Sequence, residues 1–234
     1  MADGLFAQHG LDVAIDDPPG GPENILYVAD GRRDACLTSV HHLLTATQRN
    51  GPLAARFVAI IVRRSPISAL VPLDSPLTTP ADLAGRPFAS SPDGAHTKEF
   101  LAILRHLGIE APALTGHDDA WGALGRGDVD FIVDFVDTVP RVSRMVGTRL
   151  RAIPVGLDTY ASGLLVGDAM PEATVTPLVE TLVASLEAQR TEAGRGLPDL
   201  MRRYPDTVAA EALEGWQLVE PYIFTGDPPG SMRR

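Results

Sequence analysis

The sequence predicts an α/β protein built from two similar lobes, and three observations lead there. First, one local pattern occurs twice: a helix end, a glycine, two further residues, an Asp and a short apolar run. It reads Gly31-Arg32-Arg33-Asp34-Ala35-Cys36-Leu37 in the first copy and Gly127-Asp128-Val129-Asp130-Phe131-Ile132-Val133 in the second. Second, glycine is the residue that ends a helix in the left-handed conformation without a Cβ clash. Third, the apolar runs after each Asp are too short for helices and read as buried parallel strands. Two copies of one helix–Gly–x–x–Asp–strand unit imply two α/β lobes that meet at a cleft.

Composition narrows the function classes. A chain of 234 residues accommodates two modest lobes. Its residues are 44% apolar and only 6% aromatic, so Leu, Val, Ile and Ala form the core. A net charge of −10 argues against nucleic acid as a partner, because phosphate binding needs a basic surface. The single cysteine, Cys36, excludes an internal disulfide and any multi-cysteine metal site. No cofactor and no metal are expected. No apolar run is long enough to span a membrane. The first residues lack the basic start and apolar stretch of a signal peptide. The expected location is therefore cytoplasmic as the sequence stands, and periplasmic or extracellular if a signal segment has been removed.

The elements follow in order. Leu11 to Ile15 alternates apolar and polar residues, as a half-buried strand does. After the turn at Asp17-Pro18-Pro19-Gly20-Gly21, a helix is predicted from Pro22 to Asp30. The first repeat strand follows, then a helix from Ser39, a suitable N-cap, to Thr47. The β-branched stretches 56–62 and 68–73 read as strands of the first lobe. Asp74 to Pro80 is a linker, and Thr79 caps a single helical turn that starts at Pro80. In the second lobe Phe88 to Ser90 is a strand. A helix over 95–107 presents Phe100, Ile103, Leu104 and Leu107 on one face. Strands at 131–133 and 151–155 follow, and Tyr160 to Val166 returns the chain to the first lobe. Segments 176–189 and 196–224 are helical. The predicted domains are 1–75 plus 162–234 for the first lobe and 76–161 for the second, with 225–234 a flexible tail.

These residues resemble the type 2 periplasmic substrate-binding fold, with a mixed sheet in each lobe and a hinge. Within it they are similar to the sulfonate, taurine, nitrate and pyrimidine-precursor binders of ABC transporters. Gly4-Leu5-Phe6-Ala7-Gln8-His9-Gly10-Leu11-Asp12-Val13 is similar to that group's opening, and both Gly-x-x-Asp repeats match its signatures. Leu73-Asp74-Ser75-Pro76-Leu77 with Ala81-Asp82-Leu83-Ala84-Gly85-Arg86 resembles its hinge and the segment that follows. There is one departure. The group places a strand and loop before the Gly-Leu-Phe helix, whereas this sequence begins at or inside that helix. The resemblance therefore implies a first-lobe sheet without its first strand and with an unpaired edge, for which a second chain, self-association or simple degeneration of the fold would account.

Ligands of open α/β sheets bind beyond the carboxyl ends of the strands. Thr38 and Ser39 meet that rule in the first lobe, with His41 on the helix behind them and Tyr160 on the crossover. In the second lobe the turn Ser90, Ser91, Gly94, Ala95, His96, Thr97 joins a strand to a helix N-terminus. Small residues, hydroxyls and backbone N–H groups there suit an anion. Asp134 and Asp137 follow the second repeat strand. Two carboxylates favour a cationic or amino-bearing group or act as a base. His96 is a donor, an acid–base group, or a helix-start histidine bonded to Asp93. His41 and His42 point to different faces of their helix, so they do not form a metal pair. Cys36 is a small buried hydrophobe.

Two functions follow from the resemblance. One is a binding protein that closes two lobes over a small polar or anionic organic molecule of sulfonate, carboxylate or aminopyrimidine type, hinged near 73–76 and 158–163. The other is an enzyme on the same fold, of desulfinase, decarboxylase or lyase type, with His96, Asp134 or Asp137 moving a proton. A shared fold does not decide between them.

Overall fold

The computed structural model describes residues 4–17, 21–91, 94–116, 119–155 and 159–225. The calls on Asp93, on Asp158 in the second hinge segment, and on the tail beyond residue 225 lie outside the described residues. In chain order the elements are α1 (Leu5–Gln8), α2 (Glu23–Ala29), β1 (Ala35–Ser39), α3 (Val40–Asn50), β2 (Ala55–Val62), β3 (Ile67–Pro72), β4 (Pro87–Ser90), α4 (Ala95–His106), β5 (Ala113–Gly116) and α5 (Ala120–Arg126). They continue with β6 (Phe131–Phe135), α6 (Val139–Val146), β7 (Leu150–Pro154), β8 (Ser162–Gly167), α7 (Glu172–Thr191), α8 (Leu197–Arg203) and α9 (Ala209–Ile223). Short 3-10 turns occupy Pro80–Leu83 and Val136–Thr138.

Both repeats form the predicted unit. Gly31 and Gly127 each have a φ of 75°, the left-handed conformation that only glycine adopts without strain. Each lies just past a helix, α2 and α5, and each leads to a strand, β1 and β6.

The chain divides into two compact units. Unit 1 takes in the described residues of Met1–Arg64, Thr159–Thr207 and Glu220–Arg234. Its sheet has the order β1-β8-β2, and both outer strands run antiparallel to β8. Side chains alternate along β8, as strand geometry requires. Leu165 packs with Ile25 and Val28 of α2 and Ala46 of α3, while Leu164 and Val166 pack with Val175 of α7. The sheet is thus covered on both faces. Gly163 allows the close approach of β8 to β2, since a Cβ there would overlap the Ala59 carbonyl oxygen.

Unit 2 holds the described residues of Ser65–Asp158 and Val208–Val219. Its sheet has the order β5-β4-β6-β3-β7. β4 runs parallel to β5 and β6, whereas β3 runs antiparallel to β6 and β7. Alternation builds two apolar layers here too. Phe88, Phe131 and Val133 face Phe100 and Leu104 of α4; Ala89 and Ile132 face Ala123 and Leu124 of α5 and Val142 of α6. The Phe88 and Phe131 rings stack at 5.2 Å, and Phe100 closes the aromatic cluster at 5.7 Å from Phe88.

Several expectations are corrected. Leu11 to Ile15 is not a strand: Val13 and Ile15 are 38% and 53% exposed, and no described strand lies alongside to pair their backbone groups. β1 was read as a parallel strand, but its partner β8 is antiparallel. β6 is parallel to β4 and antiparallel to β3. Residues 68–73 were placed in the first lobe, yet β3 is a strand of the unit 2 sheet. Leu107 is 43% exposed, because α4 ends at His106 and the chain turns before Leu107 can join the buried face. The sequence reading also missed β5 and α6. Pro140 stands in the first turn of α6, where its missing N–H costs nothing.

Candidate functional site

In unit 2, β4 ends in Ser90, which is 1% exposed, and the chain then turns into α4 through Gly94. A Cβ at Gly94 would lie 3.1 Å from the Ser91 carbonyl oxygen and 2.8 Å from His96 Cε1, so a side chain there would require the His96 ring and the turn to shift. Ser90 Oγ stands 2.7 Å from Thr97 Oγ1 and 3.0 Å from His96 Nε2, and Thr97 Oγ1 donates to the Ser91 carbonyl at 2.6 Å.

Proton counting orders this chain. The single Thr97 hydroxyl proton goes to the Ser91 carbonyl, so the Ser90 hydroxyl donates to Thr97 Oγ1. Its oxygen then accepts from His96 Nε2–H. The imidazole carries its proton on Nε2, and Nδ1 is the basic nitrogen. Burial lowers the His96 pKa from 6.5 against the opposing pull of the Asp134 and Glu99 carboxylates, so the ring is neutral at pH 7.

By helix geometry the first-turn N–H groups of α4 have no intrahelical acceptor. Helix and turn together place donors and the positive end of a helix dipole at residues 94–97, the arrangement that receives an anionic group.

The acidic side of the site comes from β6. Asp134 Oδ2 accepts from Trp121 Nε1 at 3.1 Å, and Oδ1 accepts from the Phe135 N–H at 2.7 Å. Asp134 is therefore tied at both oxygens and is not a solvated strand end. Phe135 is 40% exposed and its ring centroid lies 6.1 Å from that of His96. Asp137 is exposed as a residue, yet protein around its carboxyl, with a smaller contribution from the Asp134 charge, raises its pKa. Gly215 of α9 is held against that turn, since a Cβ there would be 2.6 Å from the Asp137 carbonyl oxygen. Glu99 accepts from Ser65 Oγ at 2.7 Å.

Unit 1 presents its own candidates at the end of β1. Ser39 caps α3 by accepting from the His42 N–H at 3.1 Å, and Thr38 Oγ1 lies 3.5 Å from His42 Nδ1. Burial and the neighbouring His41 lower the His42 pKa. His42, rather than the candidate His41, is the histidine turned to Thr38. Tyr160 is 60% exposed. Burial raises the Cys36 thiol to about 11, so it is no nucleophile at neutral pH.

The structure links Ser90, Ser91, His96 and Thr97 by hydrogen bonds in unit 2, with Gly94 and Ala95 at the start of α4 and Asp134 and Asp137 at and just after the end of β6; in unit 1 Thr38 and Ser39 end β1, His41 lies on α3 and Tyr160 precedes β8. Trp121, Phe135 and Glu99 were missed, and of the two histidines read on α3 the candidate chosen was His41 rather than His42. Glu99 was legible three residues after His96 on the same helix face. Trp121 was not, because only the turn of α5 toward β6 brings the indole to Asp134. Among the described residues no three His, Cys, Asp or Glu side chains converge as a metal site.

The architecture is that of the type 2 periplasmic binding proteins. The aliphatic sulphonate binding protein SsuA of Escherichia coli superposes with a TM-score of 0.72 at 18% identity, over 90% of this chain and 70% of that one. The alkanesulfonate-binding SsuA of Xanthomonas axonopodis pv. citri, solved with MOPS, gives 0.64 at 18% identity, over 92% and 77%. A substrate-binding domain of a putative amino acid ABC transporter from Streptococcus pneumoniae gives 0.57 at 16%, over 95% and 87%. No curated protein matches the chain. Residues 1–170 match the model of the family described as NMT1/THI5 like, and the chain belongs to that family.

Proposed function

We propose that this protein is a substrate-binding protein of the ABC-transporter type, and that its ligand is a small organic molecule with an anionic sulfonate or carboxylate group. The observation that carries the proposal is the Ser90–His96–Thr97 chain at the N-terminus of α4, with both hydroxyl residues buried. It holds rigidly a turn whose N–H groups are directed at a negative charge. Support comes from the structural neighbours, among them proteins whose ligands are sulfonates. The carboxylates Asp134 and Asp137 beside the turn suit an amino group on the same molecule, so a zwitterion such as an aminosulfonate fits both sides. The proposal extends to Thr38, Ser39, His41 and Tyr160 of unit 1 as further contacts. It also extends to a location outside the cytoplasmic membrane, like that of the periplasmic neighbour. No described helix is long and apolar enough to cross a membrane.

Calorimetric titration tests it with taurine, ethanesulfonate, propionate and an aminopyrimidine. A sulfonate or carboxylate should give saturable heat, and Ser90→Ala should weaken that binding about tenfold. Heat from the aminopyrimidine alone would reject the anionic assignment.

A further inference from the structure

The hydrogen-bond chain of unit 2 leaves one atom of His96 unused. Nε2 carries the ring proton and donates to Ser90 Oγ, so Nδ1 keeps a lone pair. Among the described residues Nδ1 has no hydrogen-bond partner. Nor is it a buried orphan, since among the described residues only Asn24 Oδ1 is one. The Nδ1 edge of the ring therefore reaches water.

Gly94 shows how that edge stays open. Its φ of −61° and ψ of 136° suit any residue, so the backbone conformation does not call for glycine. A Cβ there would stand 2.8 Å from His96 Cε1 and 3.2 Å from Nδ1. Its absence uncovers the Nδ1 edge at the N-cap position of α4, in the same turn that is assigned to the ligand's anionic group.

The charges around the ring are engaged elsewhere. Glu99 of α4 accepts from Ser65 Oγ, and the two Asp134 oxygens accept from Trp121 Nε1 and the Phe135 N–H. Asp137 follows in the 3-10 turn and bears on the Asp134 carboxylate. Lys98, two residues along α4, is exposed. The Phe135 ring packs near the imidazole and adds no charge. Without a ligand, burial outweighs the pull of Asp134 and Glu99 and keeps the ring neutral.

We infer that His96 is a proton-accepting contact of this site: a bound sulfonate or carboxylate draws one proton from solvent onto Nδ1, and Nδ1–H then donates to the ligand oxygen. The inference rests on the anion reading of the turn at residues 90–97. A sulfonate is fully ionised and has no proton to give, so solvent must supply it. Protonation leaves the chain intact, because Nε2–H still donates to Ser90 Oγ. A negative charge beside the ring favours the imidazolium, opposing the effect of burial. Proton and ligand then strengthen each other's binding by the same factor. Affinity rises as pH falls through the ligand-bound pKa and levels off below the ligand-free one, which lies under 6.5.

Calorimetry reads the proton directly. Ethanesulfonate and taurine are titrated at about pH 7 in Bis-Tris, imidazole and Tris, cationic buffers that do not compete with an anion and differ in ionisation enthalpy. The apparent binding enthalpy should change linearly with that enthalpy, with a slope of roughly half a proton or more taken up per ligand. His96→Gln keeps an N–H for Ser90 and takes up no proton. It should bind the sulfonates about tenfold more weakly, with no buffer dependence. In the wild type, the His96 Cε1–H resonance, identified among six histidines by its loss in His96→Gln, should titrate at higher pH when ligand is bound. A merely structural His96 would weaken binding on substitution yet move neither the slope nor that titration. Buffer-independent heat in the wild type, proton release, or a slope that persists in His96→Gln would overturn the inference and leave the anion reading standing. No heat from either sulfonate in any buffer would overturn the anion reading itself, and the linkage with it.

Discussion

The two units use the same local device and finish it differently. In unit 2 the strand after Gly127, β6, has β4 on one side and β3 on the other, and Phe131, Ile132 and Val133 are at most 3% exposed. In unit 1 the strand after Gly31, β1, pairs among the described residues with β8 alone, and its central Leu37 is 64% exposed. Local sequence therefore sets the turn and the strand in both places, while burial is set by how many neighbours the strand finds. The lesson is physical. Hydrophobic stabilisation follows area removed from water, and an edge strand with an uncovered flank removes little.

Substitutions sharpen the contrast, and the largest effect belongs to unit 2. Phe131→Ala removes a ring packed on two others and should cost about 3–5 kcal/mol. Leu37→Ala should cost less than about 0.5 kcal/mol. Urea titration followed by circular dichroism measures both, and equal losses would contradict the comparison. Next comes Gly163→Ala. It forces a methyl into the Ala59 carbonyl and should destabilise unit 1 by about 1–3 kcal/mol, read as faster hydrogen exchange in β2 and β8.

Ser90→Ala leaves the partly buried His96 Nε2–H without its acceptor and removes the hydrogen bond to Thr97, at a cost of about 1–2 kcal/mol. Thermal melts should show the loss, and Ser90→Thr should recover part of it.

A smaller effect concerns pH. The folded pKa values of His96 and His42 lie below 6.5, so protonation favours the unfolded chain. Their contribution is present above 6.5 and is lost as pH falls through the lowered folded values. Asp137 acts with the opposite sign: its raised pKa makes its contribution greatest at low pH, fading as pH rises from 3.8 through the folded value. Melts between about pH 7.5 and about pH 5.5 should show stability falling with pH, and His96→Asn should flatten that slope. A wild-type slope of the other sign would remove His96 as a partly buried neutral ring. Smallest of all, Arg126→Gln breaks exposed pairs with Asp119 and Asp128 and should change stability by less than about 1 kcal/mol in the same melts.

Much of the fold was legible in the sequence, and the failures are instructive. The repeats were readable because a left-handed glycine and a following Asp are local signals, as at Gly31 and Gly127. The helix over 95–107 was readable because Phe100, Ile103 and Leu104 keep one face. The sheet to which β3 belongs was not, since Ser68-Ala69-Leu70-Val71 looks alike in any buried strand and only pairing decides. Leu11 to Ile15 carries a true alternation, yet alternation records a strand's preference and does not supply its neighbour. At the candidate site the hydroxyls of Ser90 and Thr97 were readable from a strand running into a helix start. The Trp121–Asp134 bond joins elements 13 residues apart through a turn whose direction no periodicity encodes.

The central claim, that the turn at residues 90–97 anchors a ligand's anionic group, meets its most direct test in one calorimetric comparison. Taurine is titrated into the wild type and into Thr97→Val, which removes the hydroxyl bridging Ser90 to the Ser91 carbonyl. The account predicts saturable binding to the wild type, weakened about tenfold in the variant while its melting profile remains cooperative. Equal affinity in the two proteins would contradict it.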